Sequence, residues 1–372
     1  MSGSPIPVSV NFLWCVPGAV GGSEDYLVRQ FVGLAAIESV IVPTLYVLPG
    51  FAEAHPELAS VFRLEVAPVD GRNRGRRVLA EHTWLAGRTV DSLLVHHGGG
   101  TVPGRSSKPV VLTIHDLQYR TYPQYLSAFK HRYLQWAMPR SAARATVIAV
   151  PTEYVRQTVI DAYGCDPERV VVVPHGVEPT LGNSATPETD LRERFGLGDG
   201  PVVVLPAMTH PHKGHLFLLK VMALHWTDPS LRLVLIGGEG ANEQAVMSSI
   251  SGLGLTDRVV RPGRVSPQDR DGLLAMAAAM AFPSEYEGFG APVIEAMAVG
   301  APVICSDRTC LPEVAGDAAI VLPLDHDAWA GALDEAVSRR CELARAGRSR
   351  AASFTAIRSA EALLVAYARA LE

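Results

Sequence analysis

Short runs of β-branched and apolar residues recur along this chain, each followed by a stretch of helical spacing. That alternation limits the fold more than any other feature. In the first half the runs fall at residues 8–13, 40–47, 92–96, 110–114, 146–150 and 170–173, with helix-like segments such as 23–36 and 152–163 between them. In the second half they fall at 202–205, 231–236, 259–261, 279–282, 302–305 and 319–322. Strands alternating with helices make parallel sheets flanked by helices, the doubly wound α/β arrangement. The uninterrupted Val170-Val171-Val172-Val173 suits a strand covered on both faces.

A chain of 372 residues is long for one such sheet and comfortable for two. The boundary is expected after Pro174-His175-Gly176-Val177-Glu178-Pro179, where a stretch rich in Gly, Pro, Thr and Asp runs to residue 200 before a new strand. This gives two Rossmann-like domains, 1–178 and 179–353, facing across a cleft, and a closing segment 354–372. The formal charge of -5 shows no basic excess and argues against a nucleic-acid partner. It leaves room for a small anionic ligand, which sees local charge. The five cysteines, Cys15, Cys165, Cys305, Cys310 and Cys341, include no C-x-x-C pair. They suit a reducing compartment, and neither a disulfide framework nor a zinc site. No Lys or Arg precedes the first apolar run, and no run approaches the roughly 18–20 residues of a membrane span. A cytoplasmic protein is expected.

Ligands of doubly wound sheets sit beyond the carboxyl ends of the strands, so the loops after strands come first. After residue 283 comes Ser284-Glu285-Tyr286-Glu287-Gly288-Phe289-Gly290, then a helix opening near Ala291 with Pro292 in its first turn. Free N–H groups and the dipole at such a helix start favour an anion. Glu287 in the loop and Glu295 one turn into the helix add carboxylates that accept hydrogen bonds from paired sugar hydroxyls. Taken alone, Glu287 equally suits a solvated loop and Glu295 a partner of the helix dipole. After the first strand of the second half comes His210-Pro211-His212-Lys213-Gly214-His215. A cation at the positive end of a helix is disfavoured unless an anion sits there, so Lys213 and His212 are candidates for a diphosphate. After the first strand of the chain, Gly18, Gly21 and Gly22 permit a tight turn and close backbone approach. This is not G-x-G-x-x-G, so no dinucleotide fingerprint is present there. His115, closing a strand beside Asp116, faces the expected cleft, although a lone histidine is more often structural.

Other strings carry less. Asp325-His326-Asp327 spells D-x-D, but it precedes an Ala/Leu helix, and Asp327 is expected as its N-cap rather than as a metal ligand. Gly98-Gly99-Gly100 reads as a flexible loop near the acceptor. There is no G-x-S-x-G and no H-E-x-x-H.

The string S-x-Y-E-G-F-G-x-P-V-I-E-A-M-A-x-G-x-P-V-I, with Glu287 and Glu295 in E-x7-E spacing, resembles the donor-site motif of family 4 glycosyltransferases of the GT-B fold. Ser306-Asp307, Leu311-Pro312-Glu313-Val314, Gly316-Asp317-Ala318-Ala319 and Val173-Pro174-His175-Gly176-Val177 extend the resemblance over nearly the whole chain. His115-Asp116-Leu117-Gln118 with Pro211-His212-Lys213-Gly214-His215 is similar to a bacterial subgroup containing many mannosyltransferases. The resemblance implies that Glu295 holds a donor ribose and Glu287 faces the donor hexose. The backbone of Gly288, Phe289 and Gly290 would line sugar and phosphates, with Lys213 on the diphosphate. His115 would lie near the transferred sugar, and Gly21 and Gly22 would close on phosphate and acceptor. Many family members carry Arg where this chain has Met208, so Lys213, His212 and the helix start would carry more of the diphosphate, with Arg264 a candidate substitute. The closing segment resembles the family's C-terminal helix that crosses back to the first domain.

The implied reaction is retaining transfer of a hexose, first of all mannose from GDP-mannose, to a hydroxyl of a glycan, glycolipid or small molecule. It needs no metal and no cofactor beyond the nucleotide-diphosphate sugar itself. The basic, aromatic Lys130-His131-Arg132-Tyr133-Leu134-Gln135-Trp136 with Arg140 and Arg144 has two readings. One is peripheral contact with an anionic membrane carrying a lipid-linked acceptor; the commoner one is an ordinary amphipathic surface helix. A sugar-nucleotide epimerase and a non-catalytic nucleotide-sugar-binding protein on the same fold are the alternatives.

Overall fold

The computed structural model describes residues 4–18, 21–104, 106–178 and 181–372. Ala19 and Val20 of the glycine loop, and Pro179 and Thr180 at the expected boundary, lie outside the described residues. The chain divides into two compact units. The first runs to Gly176 and takes in Thr355–Glu372; the second is Val177–Phe354.

The described strands of the first unit are β1 (Ile6–Asn11), β2 (Ile41–Val47), β3 (Arg63–Val66), β4 (Leu94–His97), β5 (Val110–Thr113), β6 (Val147–Val150) and β7 (Val170–Val172). They form one sheet in the order β3-β2-β1-β4-β5-β6-β7, with every pairing parallel. Alternate side chains serve opposite faces. Val8, Val10, Leu94, Val111 and Val147 pack under Tyr26, Leu27 and Phe31 of the helix Gly22–Ala35. Leu112, Ile148 and Val150 pack under Met138, Val155 and Val159 on the other face. The valine run at 170–173 ends as an edge strand. Val171 and Val172 are only partly buried, each against a different face, because no described strand pairs beyond β7.

The strand β3 was not legible in the sequence. Its Arg-Leu-Glu-Val is short, lies at the other edge and leaves Val66 exposed. The helix Ala356–Leu371 belongs to this unit. Thr355 caps it, accepting the Arg358 N–H at 3.1 Å. Ala360, Leu363, Ala366, Tyr367 and Ala370 bury one stripe in the first core. It approaches so closely that a Cβ on Gly33 would collide with the Ala356 carbonyl.

The second unit carries β8 (Val202–Pro206), β9 (Arg232–Ile236), β10 (Val259–Gly263), β11 (Ala279–Phe282), β12 (Val303–Ser306) and β13 (Ile320–Leu322). Among the described residues these form a parallel sheet in the order β10-β9-β8-β11-β12-β13. Its central strands are buried throughout, as doubly covered strands must be. The N-cap expected at Asp327 is not formed. The helix Ala332–Ser338 starts later, after Gly331. Asp325 instead caps the preceding turn, accepting the Ala328 N–H at 2.9 Å. Asp327 is left almost fully exposed, 3.3 Å from His225.

Both sheets have a point where the chain reverses its direction of growth: between β1 and β4 in the first unit, and between β8 and β11 in the second. Loops leaving such neighbours diverge to opposite faces and open a crevice at the carboxyl edge.

Candidate functional site

The crevice of the second unit lies between the loops after β8 and β11. The first of these makes a single 3-10 turn, Pro211–Lys213, ending in Gly214 at φ +74°. Gly214 is required there: a Cβ would collide with the Pro283 carbonyl. The His212 carbonyl accepts the Glu285 N–H at 2.7 Å and the Ser284 hydroxyl at 3.1 Å, which stitches the two loops together. Lys213 is thereby held with its Nζ 2.6 Å from Glu287 Oε1 and 5.6 Å above the Phe282 ring. Their side chains are 19% and 11% exposed, so the pair keeps an opening to solvent.

The loop after β12 supports Glu287 from behind. The Glu287 N–H donates to Thr309 Oγ1 at 3.1 Å, and its carbonyl accepts the Cys310 thiol at 3.3 Å. Thr309 is, among the described residues, the one non-glycine at positive φ, +54°. A β-branched residue there is strained, and such strain gathers at ligand sites. Sequence reasoning did not find Thr309, since threonine carries no signal for that conformation.

Beyond Glu287, the helix Ala291–Val299 begins at Gly290, φ +83°, with no side-chain cap and no acidic residue in its first turn. A Cβ on Gly290 would lie 2.6 Å from Leu311 Cδ2, so a larger residue does not fit. Glu295 lies in this helix, buried. Burial disfavours the Arg270 cation, but Glu295 and then Asp271 outweigh it and hold that guanidinium above its ordinary range. Arg270 was also missed in the sequence, lying on a separate helix. The Phe289 ring turns to Phe354, centroids 5.5 Å apart. His212 stacks on His210 at 5.8 Å. Burial, then Lys213, push its imidazole down to about 3, so it is neutral at pH 7. The unit thus brings Lys213, His212, Glu287, Gly288, Phe289, Gly290 and Glu295 to one edge of one sheet. A cation, a neutral imidazole and uncapped amides suit an anion, and the carboxylates suit hydroxyls.

Met208 and Arg264 meet nearby. A Cβ on Gly238, after β9, would lie 2.9 Å from Arg264 Nε and 3.6 Å from Met208 Cε. Beneath them Arg261 binds the carbonyls of Leu235, Gly237 and Gly238, and its Nη2 donates to Glu243 Oε2 at 2.9 Å.

His115, Gly21 and Gly22 lie in the first unit. Gly21, φ +79°, starts the helix Gly22–Ala35 without a side-chain cap, and open space surrounds the position of a Cβ at either glycine. The Gly18 N–H donates to Glu24 Oε1 at 2.7 Å, and Glu24 also meets His55 Nε2 at 2.7 Å. His115 Nε2 lies 2.9 Å from the Gly98 carbonyl, so that nitrogen carries the hydrogen and Nδ1 is left as an acceptor. Burial pushes its imidazole down to about 4. Gly98 and Gly99 are not the flexible loop expected. Both are buried, Gly98 against Leu27 and Trp14 and Gly99 against Trp14, and a Cβ on Gly99 would lie 2.8 Å from the indole.

Two family profiles match. The one described as Glycosyltransferase Family 4 matches residues 20–181, and the one described as Glycosyl transferases group 1 matches residues 188–353. The chain is 29% identical over 238 residues to the O-antigen chain mannosyltransferase B of Escherichia coli, covering 63% of this chain and 62% of that protein. It is 29% identical over 311 residues to the D-inositol 3-phosphate glycosyltransferase of Segniliparus rotundus, covering 78% and 65%. The match spans less than two thirds of either relative's length. Among solved structures, Anabaena HepE in complex with UDP and glucose aligns at a TM-score of 0.75 and 18% identity, covering 98% of this chain and 99% of that one. Sucrose-phosphate synthase from Thermosynechococcus elongatus aligns at 0.78 and 19%, covering 98% of each. At such identities the structural likeness identifies the fold, which is GT-B. With the two profiles together spanning most of the chain, and their motif residues gathered at the β8–β11 crevice, the chain belongs to the family 4 glycosyltransferases.

Proposed function

We propose that the protein transfers a hexose, with retention at the anomeric carbon, from a nucleotide-diphosphate sugar to a hydroxyl of a glycan, glycolipid or small-molecule acceptor. The observation that carries this reading is the Lys213–Glu287 pair, held at the crevice beside an uncapped helix start. Glu287 pairs with the Lys213 ammonium. A donor diphosphate competes for that cation, and Glu287 is released toward the sugar hydroxyls. Lys213, the neutral His212 and the amides after Gly290 then stabilise charge as it grows on the leaving diphosphate. Glu295, with Arg270 beside it, accepts the ribose hydroxyls. Without a dedicated nucleophile, the acceptor attacks from the leaving-group face and the departing diphosphate takes its proton. Arg264, flanking Gly238 beside Met208, stands in for the arginine that many family members carry at position 208.

Mannose from GDP-mannose is the first choice of donor, since the Escherichia coli relative is a mannosyltransferase. A cytoplasmic site is supported by five free cysteines, four of them buried. No described helix is long and apolar enough to cross a membrane. Peripheral contact is supported by the helix Ala128–Arg144, which has no acidic residue and exposes Phe129 (84%) and Trp136 (56%) with Arg132 and Arg140 along the same stripe.

Thermal unfolding with GDP, UDP, dTDP and ADP and their sugar conjugates tests the reading. A ligand at about 100 times its Kd adds ~2.7 kcal/mol of stability. A shift with one base, lost in Lys213→Ala, supports the donor site; no shift with any nucleotide overturns it.

A further inference from the structure

The crevice of the first unit has a chemistry that the donor reading does not use. It opens between the loops after β1 and β4. Asn11 Nδ2 and His97 Nδ1, at the carboxyl ends of those strands, lie 3.0 Å apart across it. The loop after β1 lays Trp14 against Gly98, Gly99 and Gly100, and the indole meets the His115 ring at 5.4 Å between centroids. Arg77, from the helix Arg74–Ala80, donates through Nη1 to the Trp14 carbonyl at 2.9 Å.

Two buried donors here have no acceptor among the described residues: Trp14 Nε1–H and Arg77 Nε–H. Buried N–H groups are almost always paired, so these two are placed to take an oxygen that no described residue supplies. Two further cations border them. Arg74 lies one turn before Arg77, and Lys130 lies on the helix Ala128–Arg144; among the described residues neither has a side-chain hydrogen bond or ion pair. Burial, then Arg74 and Arg77, hold the Lys130 ammonium below its ordinary range, with Asp116 opposing. Two cations on one helix thus act on a third from another. The carboxylates nearby include Asp116, Glu81 and, acting with Arg77 on the Cys15 thiol, Glu24 and Asp25; burial pushes Glu81 up to about 7, so it is only partly charged at neutral pH. A neutral sugar would leave this repulsion in place, whereas a phosphoryl group supplies charge and several acceptor oxygens together.

We infer that this crevice binds a phosphoryl or diphosphoryl group carried by the acceptor, with Arg74, Arg77 and Lys130 as its cations and the Trp14 indole N–H as a neutral donor. The inference rests on the transferase reading for the word acceptor, and it narrows that acceptor to phosphorylated compounds. A soluble phosphorylated sugar or polyol and the head of a lipid-linked diphosphate share this chemistry.

Calorimetric titration of inorganic pyrophosphate into the full chain tests it, using wild type, Lys213→Ala and the double variant Arg74→Gln/Lys130→Gln. Both substituted positions of the double variant reach solvent, and circular dichroism checks that its fold is kept. The expected result is binding that survives Lys213→Ala and weakens about tenfold or more in the double variant. Binding unchanged in the double variant and abolished by Lys213→Ala overturns the inference, as does no pyrophosphate binding by Lys213→Ala. Flotation with phosphatidylglycerol vesicles then separates the sources. Vesicle binding that pyrophosphate displaces in wild type points to a lipid headgroup, and pyrophosphate binding without vesicle binding points to a soluble acceptor. The nucleotide panel reads the second unit and pyrophosphate retained by Lys213→Ala reads the first, so either reading fails visibly without the other.

Discussion

The Lys213 ammonium and the Glu287 carboxylate lie 2.6 Å apart although 74 residues separate them in sequence. They meet because β8 and β11 are neighbours in the sheet and their loops share the His212 carbonyl. Replacing either by alanine is expected to lower turnover by roughly a hundredfold, as for the loss of one charged contact to a transition state. Thermal stability should change little, because the pair is partly open to solvent. Initial rates with the donor found in the nucleotide panel, read beside melting curves, check both halves of the expectation.

Thr309 holds the Glu287 N–H from a strained backbone. Thr309→Gly relieves the strain, worth about 1–3 kcal/mol, and loses a hydrogen bond worth about 1 kcal/mol. The folded state should be unchanged or slightly stabilised while turnover falls several-fold. A variant that loses stability and keeps its rate would assign Thr309 to the fold alone.

Glu81 gives a pH-dependent signature. Burial holds its proton up to about pH 7 in the folded chain, against an ordinary value of 4.5. The folded state therefore binds more protons than the unfolded one across that window, and this contribution to stability falls as the pH rises through it. Glu81→Gln removes the dependence. Between pH 5 and pH 8 the variant should gain on wild type by on the order of 2 kcal/mol, read as the difference between two denaturant series.

His96 acts in the opposite sense. It bridges Tyr367 and Thr113 at 2.8 and 2.9 Å, and burial pushes its imidazole down to about 3. The unfolded chain takes up that proton near 6.5, so stability is lost as the pH falls from there toward 3. Tyr367→Phe leaves one side of His96 unpaired and should cost about 1–2 kcal/mol at pH 7. Hydrogen exchange should rise in the helix Ala356–Leu371 before it rises elsewhere.

The sequence reveals the strands where they are buried on both faces, because a doubly covered strand must be apolar throughout, as at Met280, Ala281 and Phe282. It hides β3, whose edge position asks little of its side chains. The candidate site was legible as residue types at fixed spacing after strands: Lys213 before a helix, Glu287 and Glu295 around a glycine turn. Its supports were not. Thr309 and Arg270 reach the site only through strand order and helix packing, which no local pattern records. Gly98 and Gly99 were misread because glycine serves mobility and close packing with the same letter. Only the Trp14 ring against them tells which applies. Asp327 was misplaced because a capping aspartate two residues earlier closes a turn of its own.

The helix Ala356–Leu371 completes the core of the first unit although the whole second unit is translated before it. A nascent chain emerging from the ribosome thus carries Tyr26, Leu27 and Phe31 without part of their cover while residues 177–354 are still being made. The second unit, an uninterrupted stretch, can close first. Chaperone dependence during synthesis should accordingly fall on the half that begins to emerge first, and stop codons placed before Thr355 should yield chains that aggregate through the amino-terminal half.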